Sequence, residues 1–124
     1  MNWIAILSVA VGAAAGGVLR HLLSVWMRAD MARFPWHTLI INLSGSLFLG
    51  ILWAYFLKHP GNLALRLALT TGFCGGFTTF STFSLEMINL FQKGQYWSGG
   101  IYLFSSVLGG VLLAGLGFAM MGKS

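Results

Sequence analysis

The run Gly72-Phe73-Cys74-Gly75-Gly76-Phe77-Thr78-Thr79-Phe80-Ser81-Thr82-Phe83-Ser84 constrains this chain more than any other feature. It lies inside an apolar segment long enough to cross a bilayer, yet it is dense with glycines and hydroxyls. An uninterrupted membrane helix needs neither. Gly75-Gly76 can leave helical geometry at little cost. Backbone that does so at membrane depth survives only where it is buried in protein or lines a watery cavity. The run therefore predicts a broken helix that builds a site.

The rest of the chain fits a membrane setting. Of its 124 residues 57% are hydrophobic and 7% charged, against about a quarter charged in a soluble domain. The formal net charge of +5 is spread over scattered Lys and Arg with no basic cluster. These are topology and headgroup residues, and no nucleic-acid partner is expected. The single cysteine, Cys74, excludes an internal disulfide and a multi-cysteine metal site. Met1-Asn2-Trp3 supplies no basic n-region ahead of the first apolar run, so an uncleaved first helix is expected rather than a signal peptide.

Apolar windows place four spans at roughly 3–27, 35–57, 63–91 and 97–121. The expectation is an all-α integral membrane protein, a single four-span domain over residues 1–124 with a broken third helix. Pro35 suits the opening of the second helix. Four spans put both termini on one side. Lys58, Arg66 and Lys123 lie on that side, and Arg28, Arg33 and Lys93 on the other, with Arg20 inside the membrane. Three against three gives the positive-inside rule almost nothing to act on. Copies inserted both ways and paired as an antiparallel dual-topology homodimer are the expectation.

Residues four apart share a helix face. The first span aligns Gly12, Gly16, Arg20 and Ser24. Gly12-x-x-x-Gly16 is a small-residue packing signal, and Arg20 either snorkels or attracts an anion from a wet cavity. The second aligns Thr38, Asn42 and Ser46. The Asn42 amide either donates to an anion or bonds a neighbouring helix. The fourth aligns Ser98, Tyr102, Ser106 and Gly110. In the third, Thr78, Thr82 and Glu86 lie four apart, and Phe80 and Phe83 fall on nearly one face among hydroxyls. Glu86 can repel anions, carry a proton or reach the interface. An aromatic ring has a positive edge, and a small hard anion fits against two such edges.

These elements resemble the Fluc (CrcB) fluoride channels over nearly the whole chain. The carriers are the Gly-rich segment Gly12 to Arg20, the element Thr38-Leu39-Ile40-Ile41-Asn42, and the Gly72–Ser84 run. His21 departs from the tyrosine that often follows the arginine in that family. The resemblance implies an antiparallel homodimer in the cell (inner) membrane with two pores that export cytoplasmic fluoride passively. It places Phe80 and Phe83 edge-on to the ion and the Asn42 amide within its reach. Ser81, Thr82, Tyr102 and Ser106 line or support the polar path, with Thr38 and Glu86 along it and Arg20 near a vestibule. It also implies a structural sodium ion on the dimer axis, held by backbone carbonyls of Gly75 and Thr78. The alternatives are a small multidrug-resistance-type proton-coupled exporter and a fluoride/proton antiporter. The first depends on a carboxylate in the first span, which has none. No nucleophile–base pair is visible, so no enzyme is expected. His21, His37 and His59 fall near span ends, where interfacial placement is expected.

Overall fold

The computed structural model describes residues 1–30 and 32–122, and among these there are helices and turns but no strand. Helix α1 spans Trp3–Trp26 and is opened by Asn2, whose side chain accepts the Ala5 N–H at 3.2 Å. Helix α2, Trp36–Lys58, starts immediately after Pro35. The third span is in pieces: α3 (Leu63–Leu67), a π-helical segment (Ala68–Cys74), α4 (Gly75–Phe77) and α5 (Phe80–Gln92). Helix α6 spans Tyr96–Gly122. Three helices, α1, α2 and α6, are long and apolar enough to cross a membrane unbroken. The remaining apolar run is divided between the two halves of the broken helix. Lys123, part of the charge count above, lies outside the described residues.

The break is not where Gly75-Gly76 places it. Gly75 is helical, with φ −64° and ψ −37°. The chain leaves the helix at Thr78 (φ −82°, ψ 156°) and Thr79 (φ −147°, ψ 118°). The glycines do a different job, which is close approach. A Cβ on Gly72 would lie 2.8 Å from the Val9 carbonyl oxygen, and one on Gly76 would collide with the Ala13 carbonyl. Across the same contact, a Cβ on Gly12 would strike the Ala68 carbonyl and one on Gly16 the Phe73 carbonyl. Backbone meets backbone along this seam, as small residues permit in membranes. The Thr pair suits the break because Thr79 caps the next helix: its hydroxyl accepts the Thr82 N–H at 3.1 Å.

On the other side of the molecule α2 packs along α6, and again through glycine: Gly50 against the Ala114 carbonyl, Gly117 against that of Leu47. Leu39 of α2, Phe83 and Leu90 of α5 and Tyr102 of α6 form one buried cluster. Most other large apolar side chains face outward. Trp3, Trp26, Trp36 and Trp97 are all exposed at helix ends, where indoles settle at membrane–water boundaries.

Candidate functional site

Two side chains from two different helices hold the break. The Thr79 N–H, which an unbroken helix would give to the Gly75 carbonyl, goes instead to Asn42 Oδ1 at 2.8 Å. Asn42 Nδ2 donates back to the Thr79 carbonyl at 3.1 Å. The amide thus replaces a missing stretch of helix with a two-bond pairing, and the interhelical reading of Asn42 holds in the protomer. One N–H of Nδ2 is left over. On the other lip Arg20 Nε donates to the Gly76 carbonyl at 3.1 Å. A guanidinium there meets the carbonyl end of the first half-helix, where positive charge is favourable. Arg20 is half-buried and turned towards the break, so it does not snorkel away from it.

Beside the break lies an open cavity of about 440 Å³, lined by Asn42, Ser46, Thr79, Phe80, Phe83 and Ser106 among others. Ser106 Oγ is buried without a hydrogen-bond partner. A buried hydroxyl in that state is costly unless something else occupies the cavity and bonds to it. The N-terminus of α5 opens at the same place, its first turn presenting the positive end of the half-helix. Thr79 Oγ1 also bonds Thr82 Oγ1 at 3.0 Å and lies 3.3 Å from Ser81 Oγ, which is exposed.

Phe80 and Phe83 are neighbours, with ring centroids 5.7 Å apart and planes tilted by 41°. Their surroundings differ. Phe83 is 7% exposed within the core cluster, and Phe80 is 79% exposed. Phe83 in turn packs on Tyr102 at 5.0 Å.

Behind these rings sits a buried polar cluster. Glu86, 3% exposed, accepts the Tyr102 hydroxyl at Oε1, 3.0 Å away. Its Oε2 lies 3.2 Å from His37 Nε2. The buried Thr38 hydroxyl also reaches the Tyr102 phenol. Glu86 therefore does not reach the interface. His37 stands in the first turn of α2, near the span end, and its side chain, 12% exposed, also turns on to the carboxylate.

The sequence points the same way as this geometry. Residues 7–118 match the family model described as CrcB-like protein, Camphor Resistance (CrcB). The chain belongs to the CrcB family. It is 42% identical over 118 residues to the fluoride-specific ion channel FluC of Desulfotalea psychrophila, covering 95% of this chain and 92% of that one. The FluC of Marinobacter nauticus is 41% identical over 117 residues (94% and 93%), and that of Rhizobium etli 47% over 103 (82% of each). With its apolar helices, this CrcB-family chain is a multi-pass membrane protein.

Of the residues singled out in this CrcB sequence, the structure gathers Asn42, Phe80, Phe83 and Ser106 at one cavity, with Thr78 and Thr79. Thr38, Tyr102 and Glu86 form the cluster behind it. Arg20 stands at the lip of the break, and Ser81 and Thr82 sit in the first turn of α5. Gly75 opens on a separate face: a Cβ there would meet nothing within 4 Å. His37 was missed as a partner of Glu86 because they are far apart in sequence and no spacing rule joins them. Asn42→Asp is expected to reduce anion passage more than Asn42→Ser. Aspartate loses the donor to Thr79 and adds negative charge beside the cavity, whereas serine keeps one donor. We expect a difference of about tenfold in efflux rate, corresponding to about 1.4 kcal/mol. Equal rates would leave Asn42 as a clamp alone.

Proposed function

We propose that this chain is a passive fluoride-selective channel that releases cytoplasmic fluoride, acting as an antiparallel homodimer with two pores. The observation that carries the reading is the helix break, where a half-helix N-terminus, two phenylalanine rings and the unpartnered Ser106 hydroxyl converge on one cavity. Fluoride is small and strongly hydrated, so its passage needs substitutes for water. Ring edges, the spare Asn42 N–H and the Ser106 hydroxyl supply them without fixed cationic charge, which would hold the ion too tightly to release. The names of the relatives support the ion. Hydrogen fluoride crosses bilayers neutral, dissociates in a less acidic cytoplasm and leaves fluoride trapped, so a downhill path for the anion suffices.

The paired assembly rests on the charge balance of the turns and on the open Gly75 face. Gly75 and Thr78 share a cavity of about 640 Å³ with Gly50, Trp53, Thr70 and Cys74. Asn42 has taken the N–H that the Gly75 carbonyl would accept in an unbroken helix, and the Thr78 carbonyl belongs to an extended residue. Carbonyl oxygens released in this way suit a hard monovalent cation. Gly75 and Thr78 would hold sodium through these carbonyls, with the pair repeated by the second copy, and the ion would supply structural charge compensation. Exchange of sodium for N-methylglucamine is expected to shift the protein from dimer towards monomer in sedimentation. Thr78→Ser keeps its carbonyl and should behave as the parent. Assembly indifferent to sodium would remove the ion from this account.

The decisive experiment is fluoride efflux from liposomes containing the purified protein, with chloride as the control anion. Selective fluoride efflux driven by voltage alone supports the channel. The buried Glu86 cluster favours one competing reading, a fluoride/proton antiporter. Efflux that demands one proton inward per fluoride would establish that reading instead.

A further inference from the structure

We propose that His37 is a positioning residue for the fluoride path: with Glu86 and Tyr102 it holds one exchangeable proton that sets the charge behind the two phenylalanines. The proposal rests on the fluoride-channel reading above. Glu86 bridges His37 Nε2 on α2 (3.2 Å) and the Tyr102 hydroxyl on α6 (3.0 Å). Tyr102 is 0% exposed and packs at a tilt against Phe83, which lines the cavity beside Phe80. The cluster is thus one ring contact from the proposed route of the anion.

The cluster opens on one side. His37 lines a cavity of about 150 Å³ at the turn between α1 and α2, together with Arg28, Asp30 and Arg33. Asp30 and Arg33 form an exposed ion pair at 3.7 Å. Around the imidazole, therefore, α5 contributes Glu86, α6 contributes Tyr102, and the turn contributes Arg28, Asp30 and Arg33. Lys93, exposed, caps the C-terminal end of α5.

Loaded with its proton, the His37–Glu86 pair is neutral overall. Without it, the pair carries one negative charge, whichever partner gave the proton up. A buried negative charge near the path raises the energy of an approaching anion, because the interior screens it weakly. Fluoride flux is therefore high on the acid side and falls as pH rises and the proton leaves. No proton needs to travel with the ion.

The test is fluoride efflux from proteoliposomes between about pH 5 and 8, the range in which histidine titrates. Efflux from protein-free liposomes is subtracted to remove the leak of hydrogen fluoride. The parent should lose about tenfold in flux across that range. H37Q, which keeps a donor to Glu86 but cannot take a proton, should be flat at the alkaline level. E86Q removes the negative charge at every pH, so its flux should not fall below the parent's acid-side level anywhere in the range. A flat parent, or an H37Q variant with the parent's profile, overturns the proposal. If the chain passes no fluoride at any pH, the channel reading falls and the histidine NMR resonances decide the pair. The resonance that H37Q removes should move in E86Q, and an unchanged position there overturns the pairing.

Discussion

Gly16→Ala is expected to destabilise the protomer by about 3 kcal/mol, the upper range for overpacking. The usual expectation has the opposite sign. Alanine in a helix interior is favoured over glycine by about 1 kcal/mol, and Gly16 is inside α1. The difference lies across the seam. The added methyl carbon would collide with the Phe73 carbonyl and stand 2.8 Å from the Phe77 amide nitrogen. Both are backbone atoms and have no rotamer to retreat into, so α1 must move off the third span. Gly12→Ala meets the Ala68 carbonyl in the same way. Gly100→Ala, whose methyl meets nothing within 4 Å, is the control and should be neutral or slightly stabilising. Thermal unfolding in detergent reads all three. A Gly16→Ala protein as stable as the Gly100→Ala control would show that the helices are not in backbone contact.

Phe80→Ile should cut fluoride efflux at least about tenfold, the equivalent of about 1.4 kcal/mol, while leaving the protomer folded. Phe80 is exposed in the protomer, so little packing is lost with the ring. What is lost is the positive ring edge, which an aliphatic chain cannot present. Phe83→Ile is a less clean experiment. Phe83 packs with Leu39, Leu90 and Tyr102, so the exchange also reshapes the core. The comparison between the two separates recognition from packing: Phe80→Ile should lose flux with unchanged thermal stability, and Phe83→Ile should lose both. Parental flux in Phe80→Ile would end the edge-on role of that ring.

The spans were legible in the sequence because long apolar runs report on the bilayer directly. Trp3–Trp26, Trp36–Lys58 and Tyr96–Gly122 fall within a residue or so of the expected limits. The broken third helix was legible from its composition, but its position was not. Gly75-Gly76 has the local freedom to break. The break is decided three residues on by Asn42, a side chain from another helix that offers Thr79 a better partner than its own turn does. The same gap hid the pairing of His37 with Glu86. Polar faces at four-residue spacing show which residues share a helix side. They do not show which side of a second helix is brought opposite, and that is fixed by the glycine seams.

The two clamps on the break also bear on how such a pathway opens. Arg20 grips one lip from α1 and Asn42 grips the other from α2, while the hydroxyl of Thr79 closes the first turn of α5. The end of the first half-helix and the extended residue Thr79 are thus each anchored to a different helix. On the proposed channel reading, an opening held from two helices is a fixed aperture, and its discrimination between ions lies in static dimensions and dipoles. Control of the flow then falls to charge placed nearby, with no hinge or lid required.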